Sequence, residues 1–111
     1  MTVVKDKKSV YRIRLLETDP RAGHRPSVNT LFESLIPLNE LKKHIVIMTG
    51  MGSDGATAMK SLKDSGAEST IAESKETCVV YGMPRAAIEL NAVQYILPVN
   101  EIANKLVHLI N

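Results

Sequence analysis

The sequence has few of the residues that mark several protein classes. It contains no Trp, one Phe and one Cys in 111 residues. The single cysteine, Cys78, excludes an internal disulfide and is typical of a reducing cytosol. Its apolar runs are too short to span a bilayer, and the polar residues after Met1 do not resemble a secretory signal. We therefore expect a cytoplasmic protein without membrane insertion.

Charge and aromatic content argue against a nucleic-acid partner. The net charge is +2, and only 4% of the residues are aromatic. These aromatic residues are not interleaved with basic ones as in RNA-binding sheets. In addition, no group of His, Cys and carboxylate residues has the spacing of metal ligands. We expect no metal, no cofactor and no nucleic acid.

The apolar residues, 44% of the chain, suffice for the core of one domain. Residues 3–4 and 10–16 flank a charged turn, which predicts an N-terminal β-hairpin. Apolar strands at residues 45–49, 69–72 and 93–97 then alternate with helical segments, which predicts a parallel α/β sheet. Because such sheets usually have about 4–6 strands, the three strands indicate part of a larger sheet. Residue types at the helix ends predict Pro26 or Ser27 near the start of the first helix, Gly66 as the C-cap of the second and Asn100 as the cap of the last.

A glycine-rich turn follows the first parallel strand and carries one carboxylate, Asp54. Gly50, Gly52 and Gly55 shape this turn by allowing unusual backbone angles and close approach. Asp54 either caps the following helix or is a buried carboxylate that orients a catalytic histidine, and the two roles are compatible. The turn also suggests a phosphate site, although it has no lysine and Asp54 would repel an anion.

The sequence does not contain an evident complete serine hydrolase site. None of the serines lies in a Gly-x-Ser-x-Gly nucleophile turn. Among the three histidines, only His24 lies in a loop that could border a site. A lone histidine in a loop is also typical of a solvated side chain, so His24 stays open between these two interpretations.

Three motifs nevertheless identify a family. They are GHRPSV at residues 23–28, TGMGSDG at residues 49–55 and CVVYGMPRAAI at residues 78–88. Their order and spacing resemble the catalytic domain of CheB-type chemotaxis protein-glutamate methylesterases. This resemblance extends over nearly the whole chain.

The resemblance implies a doubly wound α/β domain with a Ser-His-Asp triad. Such domains hydrolyse glutamate methyl esters on the cytoplasmic helices of chemoreceptors, releasing methanol, and some members deamidate receptor glutamines. Asp54 matches the triad aspartate, and the Met51 backbone amide is the candidate oxyanion donor. Further residues match loops that border the site: His24, Arg25, Gly82, Met83 and Pro84.

The match is incomplete, because the family's Ser-Thr-Gly-Gly nucleophile turn, triad histidine and receiver domain have no counterpart here. Residues 1–111 are thus expected to form a single partial catalytic domain. It would be the C-terminal part of a doubly wound, mainly parallel sheet preceded by a β-hairpin. We expect it to be inactive alone and to form a homo-oligomer or pair with a complementing chain. The alternative is a non-catalytic interaction or oligomerisation module derived from this fold.

Overall fold

The computed structural model describes residues 1–15 and 27–111. Its first sheet is an antiparallel hairpin of β1 (Thr2–Lys5) and β2 (Tyr11–Arg14). The second sheet is parallel and contains β3 (His44–Ile47), β4 (Ser69–Glu73) and β5 (Tyr95–Leu97). The four helices are α1 (Val28–Leu35), α2 (Ala56–Asp64), α3 (Met83–Glu89) and α4 (Val99–Ile110). The predicted α/β architecture with an N-terminal hairpin is confirmed.

The parallel strands lie in the order β3-β4-β5, so β4 is central. The core forms where α2 and α3 cover one face of this sheet and α1 packs against α2, and Ile47 and Ala72 contribute to it from the strands. Ile71 must point to the opposite face because side chains alternate along a strand. There α4 packs on β4 through the buried Ile102. Helices on both faces are the arrangement expected for a doubly wound fold.

Strand β3 is less enclosed than its apolar sequence indicates. Ile45 and Ile47 are buried, Val46 is half-buried, and Met48 just beyond the strand is 40% exposed. Within residues 1–15 and 27–111, β3 pairs with β4 alone. Its second edge therefore has no hydrogen-bonded neighbour in the described part of the chain, as expected for part of a larger sheet.

Two helix boundaries show where local signals succeed and fail. Gly66 ends α2 in the left-handed conformation, with φ of +100°, and the Ala67 N–H donates to the Leu62 carbonyl at 3.0 Å. This confirms the prediction of a glycine C-cap. By contrast, α4 begins one residue before Asn100, and Pro98 occupies the N-cap position. The prediction that Asn100 caps α4 is therefore wrong.

The hairpin is attached to the rest of the chain through polar contacts. The Val3 N–H donates to Ser34 Oγ at 2.8 Å. The Tyr11 hydroxyl donates to Glu40 Oε1, and Lys5 Nζ lies 3.3 Å from the same oxygen. The Tyr11 hydrogen bond and then that of Lys5 lower the pKa of Glu40 to about 2. None of the described helices has the length and apolar content that crossing a membrane requires.

Substitution of two glycines should separate backbone strain from steric overlap. Gly55 has φ of +94°, and a Cβ added there would lie 2.8 Å from Val28 Cγ1. Gly66 has a similar φ of +100° but open space around it. We expect Gly66→Ala to lower the free energy of unfolding by about 1–2 kcal/mol, from strain alone. Gly55→Ala should cost about 2–5 kcal/mol, because overlap in a packed core adds to the strain.

Urea denaturation of both variants, followed by far-UV circular dichroism, measures this difference. Equal losses for the two alanines would show that α1 can move away from Gly55 without cost.

Candidate functional site

Asp54 lies buried between the starts of two helices, where its carboxylate accepts hydrogen bonds from α1. Its Oδ1 accepts from the Ser27 hydroxyl at 3.0 Å and from the Asn29 N–H at 3.0 Å. Its Oδ2 accepts from the Val28 N–H at 2.6 Å. Only 5% of Asp54 is exposed. The two carboxylate oxygens are thereby held in fixed directions from the N-terminus of α1.

Asp54 does accept amides at the start of a helix, as the capping interpretation predicts, but the helix is α1 and not α2. Gly55 is the N-cap of α2, which has no side-chain cap, so Asp54 does not cap the helix that follows it. It serves the first amides of α1 instead, where Ser27 is the N-cap. The positive end of a helix dipole favours a negative charge at this position.

A second contact completes the link between the two helices. The Asn29 side chain is buried, and its Oδ1 accepts from the Ala58 N–H in the first turn of α2 at 3.1 Å. Asp54 and Asn29 thus each join the start of α1 to the start of α2. This arrangement fixes the carboxylate through contacts local to the two helix starts.

The turn after β3 is held against the segment that precedes α3. The Gly50 N–H donates to the Val80 carbonyl at 3.0 Å, and the Gly50 carbonyl accepts from Gly82 N–H at 3.0 Å and Met83 N–H at 2.9 Å. A Cβ on Gly82 would lie 2.8 Å from both Gly50 O and Gly52 N. Close backbone contact therefore requires glycine at position 82.

Met51 lies between these two fixed glycines and is 77% exposed. Gly52, which follows it, has φ of +83°, a conformation that favours glycine. The backbone before Met51 is thus held by the hydrogen bonds between Gly50 and the segment at Gly82, whereas Met51 itself is exposed. A backbone amide in such a turn is of the kind that forms an oxyanion hole.

The remaining predicted residues have different outcomes. Met83 and Gly82 contact the glycine turn directly, since a Cβ on Gly50 would overlap Met83 Sδ. Pro84 is buried in the first turn of α3. His24 and Arg25 were predicted to border the site, and they lie outside the described residues. Met51 and Asp54 lie in the same turn between β3 and α2, three residues apart in the sequence.

The sequence analysis missed a second buried carboxylate, Glu73, at the end of β4. It is 2% exposed, and its Oε1 accepts from the Thr49 N–H at 2.9 Å. The strand predicted over residues 69–72 extends one residue further, to Glu73. A carboxylate directly after a buried strand was the available signal, since this is where sites lie in open α/β sheets.

Cys78 does not have the properties of a reactive thiol. Burial, followed by the nearby charge of Glu73, raises the pKa of Cys78 above its usual range. Its Sγ lies 3.6 Å from the Glu73 carbonyl oxygen. A raised pKa leaves less thiolate, which is the nucleophilic form. Within residues 1–15 and 27–111, no three His, Cys, Asp or Glu residues are grouped to hold a metal ion.

The phosphate-site interpretation of the turn is weakened by its geometry. Gly50, Gly52 and Gly55 have the Gly-x-Gly-x-x-Gly spacing found in dinucleotide-binding turns. Such a turn presents the N-terminus of its own helix to a pyrophosphate. Here the residue before Gly55 is the buried carboxylate of Asp54, whose charge would repel that group.

A family model described as CheB methylesterase matches residues 1–106. The chain belongs to the CheB methylesterase family. Its fold agrees with this assignment, because it superimposes on the crystal structure of the Thermotoga maritima CheB methylesterase catalytic domain with a TM-score of 0.89 and 34% identity. That alignment covers 97% of this chain and 56% of the Thermotoga chain.

Curated relatives carry the name protein-glutamate methylesterase/protein-glutamine glutaminase. The protein from Geobacillus kaustophilus is 51% identical over 108 residues, which are 97% of this chain and 31% of the relative. The protein from Agrobacterium fabrum is 47% identical over 96 residues, which are 86% of this chain and 27% of the relative. The chain therefore spans about a third or less of these CheB relatives' length.

Removal of the Asp54 carboxylate should destabilise this CheB chain independently of any activity. Asp54→Ala leaves the Val28 and Asn29 amides without their acceptor, and unsatisfied buried donors are costly. We expect the free energy of unfolding, measured by urea denaturation, to fall by about 2–4 kcal/mol.

Asp64→Ala is the matched control for this experiment. Asp64 is an exposed aspartate at the end of α2, and its partner is Lys60 in the preceding turn of the helix. We expect its loss to change stability by less than about 0.5 kcal/mol. A similarly small effect for Asp54→Ala would contradict the role of its carboxylate as the link between α1 and α2.

Proposed function

We propose that this chain provides the aspartate and an oxyanion-binding amide of a Ser-His-Asp methylesterase that acts in the cytoplasm. The substrate class is glutamate methyl ester on chemoreceptor helices. The observation that carries the proposal is the buried Asp54 carboxylate, oriented by three donors from the start of α1. The family assignment and the names of the curated relatives support the same reaction.

Asp54 has the properties that the acid member of a triad needs. In this mechanism the aspartate does not take up a proton; it holds the histidine in one tautomer and stabilises the imidazolium that forms. That task requires an ionised carboxylate of fixed orientation. Amide and hydroxyl donors favour the ionised form, and they leave Asp54 little freedom to rotate.

The Met51 amide would stabilise the carbonyl oxygen of the ester during the reaction. When a serine attacks the ester carbonyl, negative charge develops on its oxygen, and a fixed backbone N–H stabilises that charge. Methanol then leaves, and water hydrolyses the resulting acyl-enzyme, which frees the serine and leaves an unesterified glutamate side chain on the receptor. Attack on a glutamine side chain by the same route would release ammonia, in agreement with the glutaminase part of the relatives' name.

The serine and the histidine would come from the other part of the catalytic domain. The chain corresponds to 56% of the Thermotoga domain, and none of its own residues matches the family's nucleophile turn. Loss of a triad serine or histidine lowers the rate by about a millionfold. We therefore propose that these 111 residues are inactive unless a partner supplies both groups.

Exposed apolar side chains support such a partner. Ile13 and Leu15 follow Tyr11 on one face of the hairpin and are 70% and 73% exposed. Val107 and Ile110, near the end of α4, are 60% and 67% exposed. Clusters of exposed apolar residues mark interfaces, and we propose that a second copy or a complementing chain covers them. Either of these two groups of exposed residues would also serve the second candidate function, a non-catalytic oligomerisation module.

Methanol release from a methylated receptor fragment tests the enzymatic proposal. We expect no release from the chain alone, and release when it is mixed with the N-terminal part of the Thermotoga catalytic domain. Asp54→Ala should abolish the activity of the mixture at a temperature where circular dichroism shows the variant folded. Asp64→Ala, an exposed control, should keep it.

Two results would contradict the proposal that the chain is one part of a methylesterase. Release by the chain alone would require a nucleophile that we have not identified. A stable but inactive mixture would favour the non-catalytic module.

Light scattering at micromolar concentration tests the partner surface. We expect the chain to be a dimer or larger, because exposed apolar area favours association. The double variant Ile13→Lys/Leu15→Lys should shift it towards monomer, whereas Lys7→Ala, in the exposed hairpin turn, should not. A monomeric parent chain would refute self-association.

A further inference from the structure

Glu73 is a second buried carboxylate, separate from Asp54, to which the proposed reaction assigns no role. It ends the central strand β4, and only 2% of it is exposed. Burying an ionised carboxylate is costly unless its oxygens are hydrogen-bonded. Each oxygen of Glu73 has such a partner, which indicates a defined structural task.

The contacts of Glu73 connect the carboxyl ends of all three parallel strands. Its Oε1 accepts from the Thr49 N–H, beyond β3, at 2.9 Å. Its Oε2 accepts from the Thr77 hydroxyl at 2.9 Å, and the same Thr77 Oγ1 accepts from the Val99 N–H, beyond β5, at 2.9 Å. Glu73 thus fixes the chain where it leaves the sheet towards the glycine turn.

Thr49 transmits this constraint to the turn. Its Oγ1 accepts from the Val80 N–H at 2.9 Å and donates to the Val80 carbonyl at 3.2 Å. The next residue, Gly50, donates its N–H to the same Val80 carbonyl at 3.0 Å. Met51 follows directly, so any movement of Thr49 shifts the candidate oxyanion donor.

We propose that Glu73 is a positioning residue that sets the direction of the Met51 amide through Thr49. The role in catalysis rests on the function proposed above for Met51, whereas the effect on the turn does not. A displacement of about 1 Å in a catalytic group lowers rates by about a hundredfold. Glu73 would therefore affect the chemical step without touching the substrate.

Gln and Leu substitutions separate this role from simple space filling. Gln has the shape of Glu, and its carbonyl can accept from the Thr49 N–H while its amide donates to Thr77 Oγ1, which has acceptor capacity. Leu fills similar space without either hydrogen bond. Glu76→Leu is the matched control, since Glu76 is an exposed carboxylate on the same loop and contacts only the Ser74 hydroxyl among the hydrogen bonds described.

Amide hydrogen exchange on the full chain is the first measurement. We expect Glu73→Leu to speed exchange of the hydrogen-bonded Thr49 and Gly50 amides at least about tenfold, because the opening free energy of this turn falls. The Gly50 amide is the more informative of the two, since its own acceptor is Val80 and not Glu73. Glu73→Gln should stay within about threefold of the parent, and Glu76→Leu should have no effect. Unchanged exchange in Glu73→Leu would overturn the proposal. If that variant does not fold, Thr77→Val against Thr77→Ser makes the same comparison.

Methanol release in the complemented mixture is the second measurement. Glu73→Leu should lower kcat about 10–100-fold with KM nearly unchanged, and Glu73→Gln should restore most of it. Faster exchange with unchanged kcat would overturn the catalytic part of the proposal. An inactive parent mixture would refute the proposed function instead, and the exchange data would still decide whether Glu73 fixes the turn.

Discussion

The structure depends most on the Asp54 carboxylate and the donors it accepts from the start of α1. These bonds connect a helix that lies far away in sequence to the turn between β3 and α2. Gly55 allows this approach, because a side chain at that position would overlap Val28. The Asp54 carboxylate and the absence of a side chain at Gly55 therefore act together: both are needed for α1 to pack where it does.

The carboxyl edge of the sheet contains a second constraint of the same kind at Glu73. Both carboxylates are buried, and both accept backbone N–H groups that have no partner in a helix or strand. The irregular segments between regular elements must satisfy their polar groups somehow. Here the two acidic side chains replace the hydrogen bonds that a longer strand or helix would have made. This explains how the glycine turn is ordered without regular structure.

The features that sequence revealed are those determined by neighbouring residues. The hairpin, the three parallel strands, the Ser27 cap and the Gly66 cap follow from local periodicity and from residues with strong positional preferences. The features that it missed involve distant contacts. Asp54 caps α1 because α1 is brought to it by packing, and no spacing in the chain indicates which helix it serves.

The end of β4 is another feature that the local sequence did not predict correctly. The strand predicted over residues 69–72 stops short of Glu73, and a charged residue is rarely fully buried unless it is paired. The Glu73 carboxylate is satisfied at the end of the strand by Thr49, from the loop after β3, and by Thr77, from the loop that follows β4 itself. The cap of α4 is a failure of a local signal instead: Pro98 and not Asn100 is the N-cap, since proline's fixed φ suits the extended cap position.

The contacts around Asp54 have a consequence for how a divided site can work. Its orientation comes from residues 27–29 and from the turn that carries it, and none of these bonds requires a catalytic histidine or serine. An incoming histidine would thus meet a carboxylate that its hydrogen bonds already hold in a fixed orientation. Electrostatic groups fixed in advance do not reorganise during the reaction, which is the source of much of their effect. In the proposed site, the Asp54 carboxylate would therefore be preorganised by contacts within this chain's own fold.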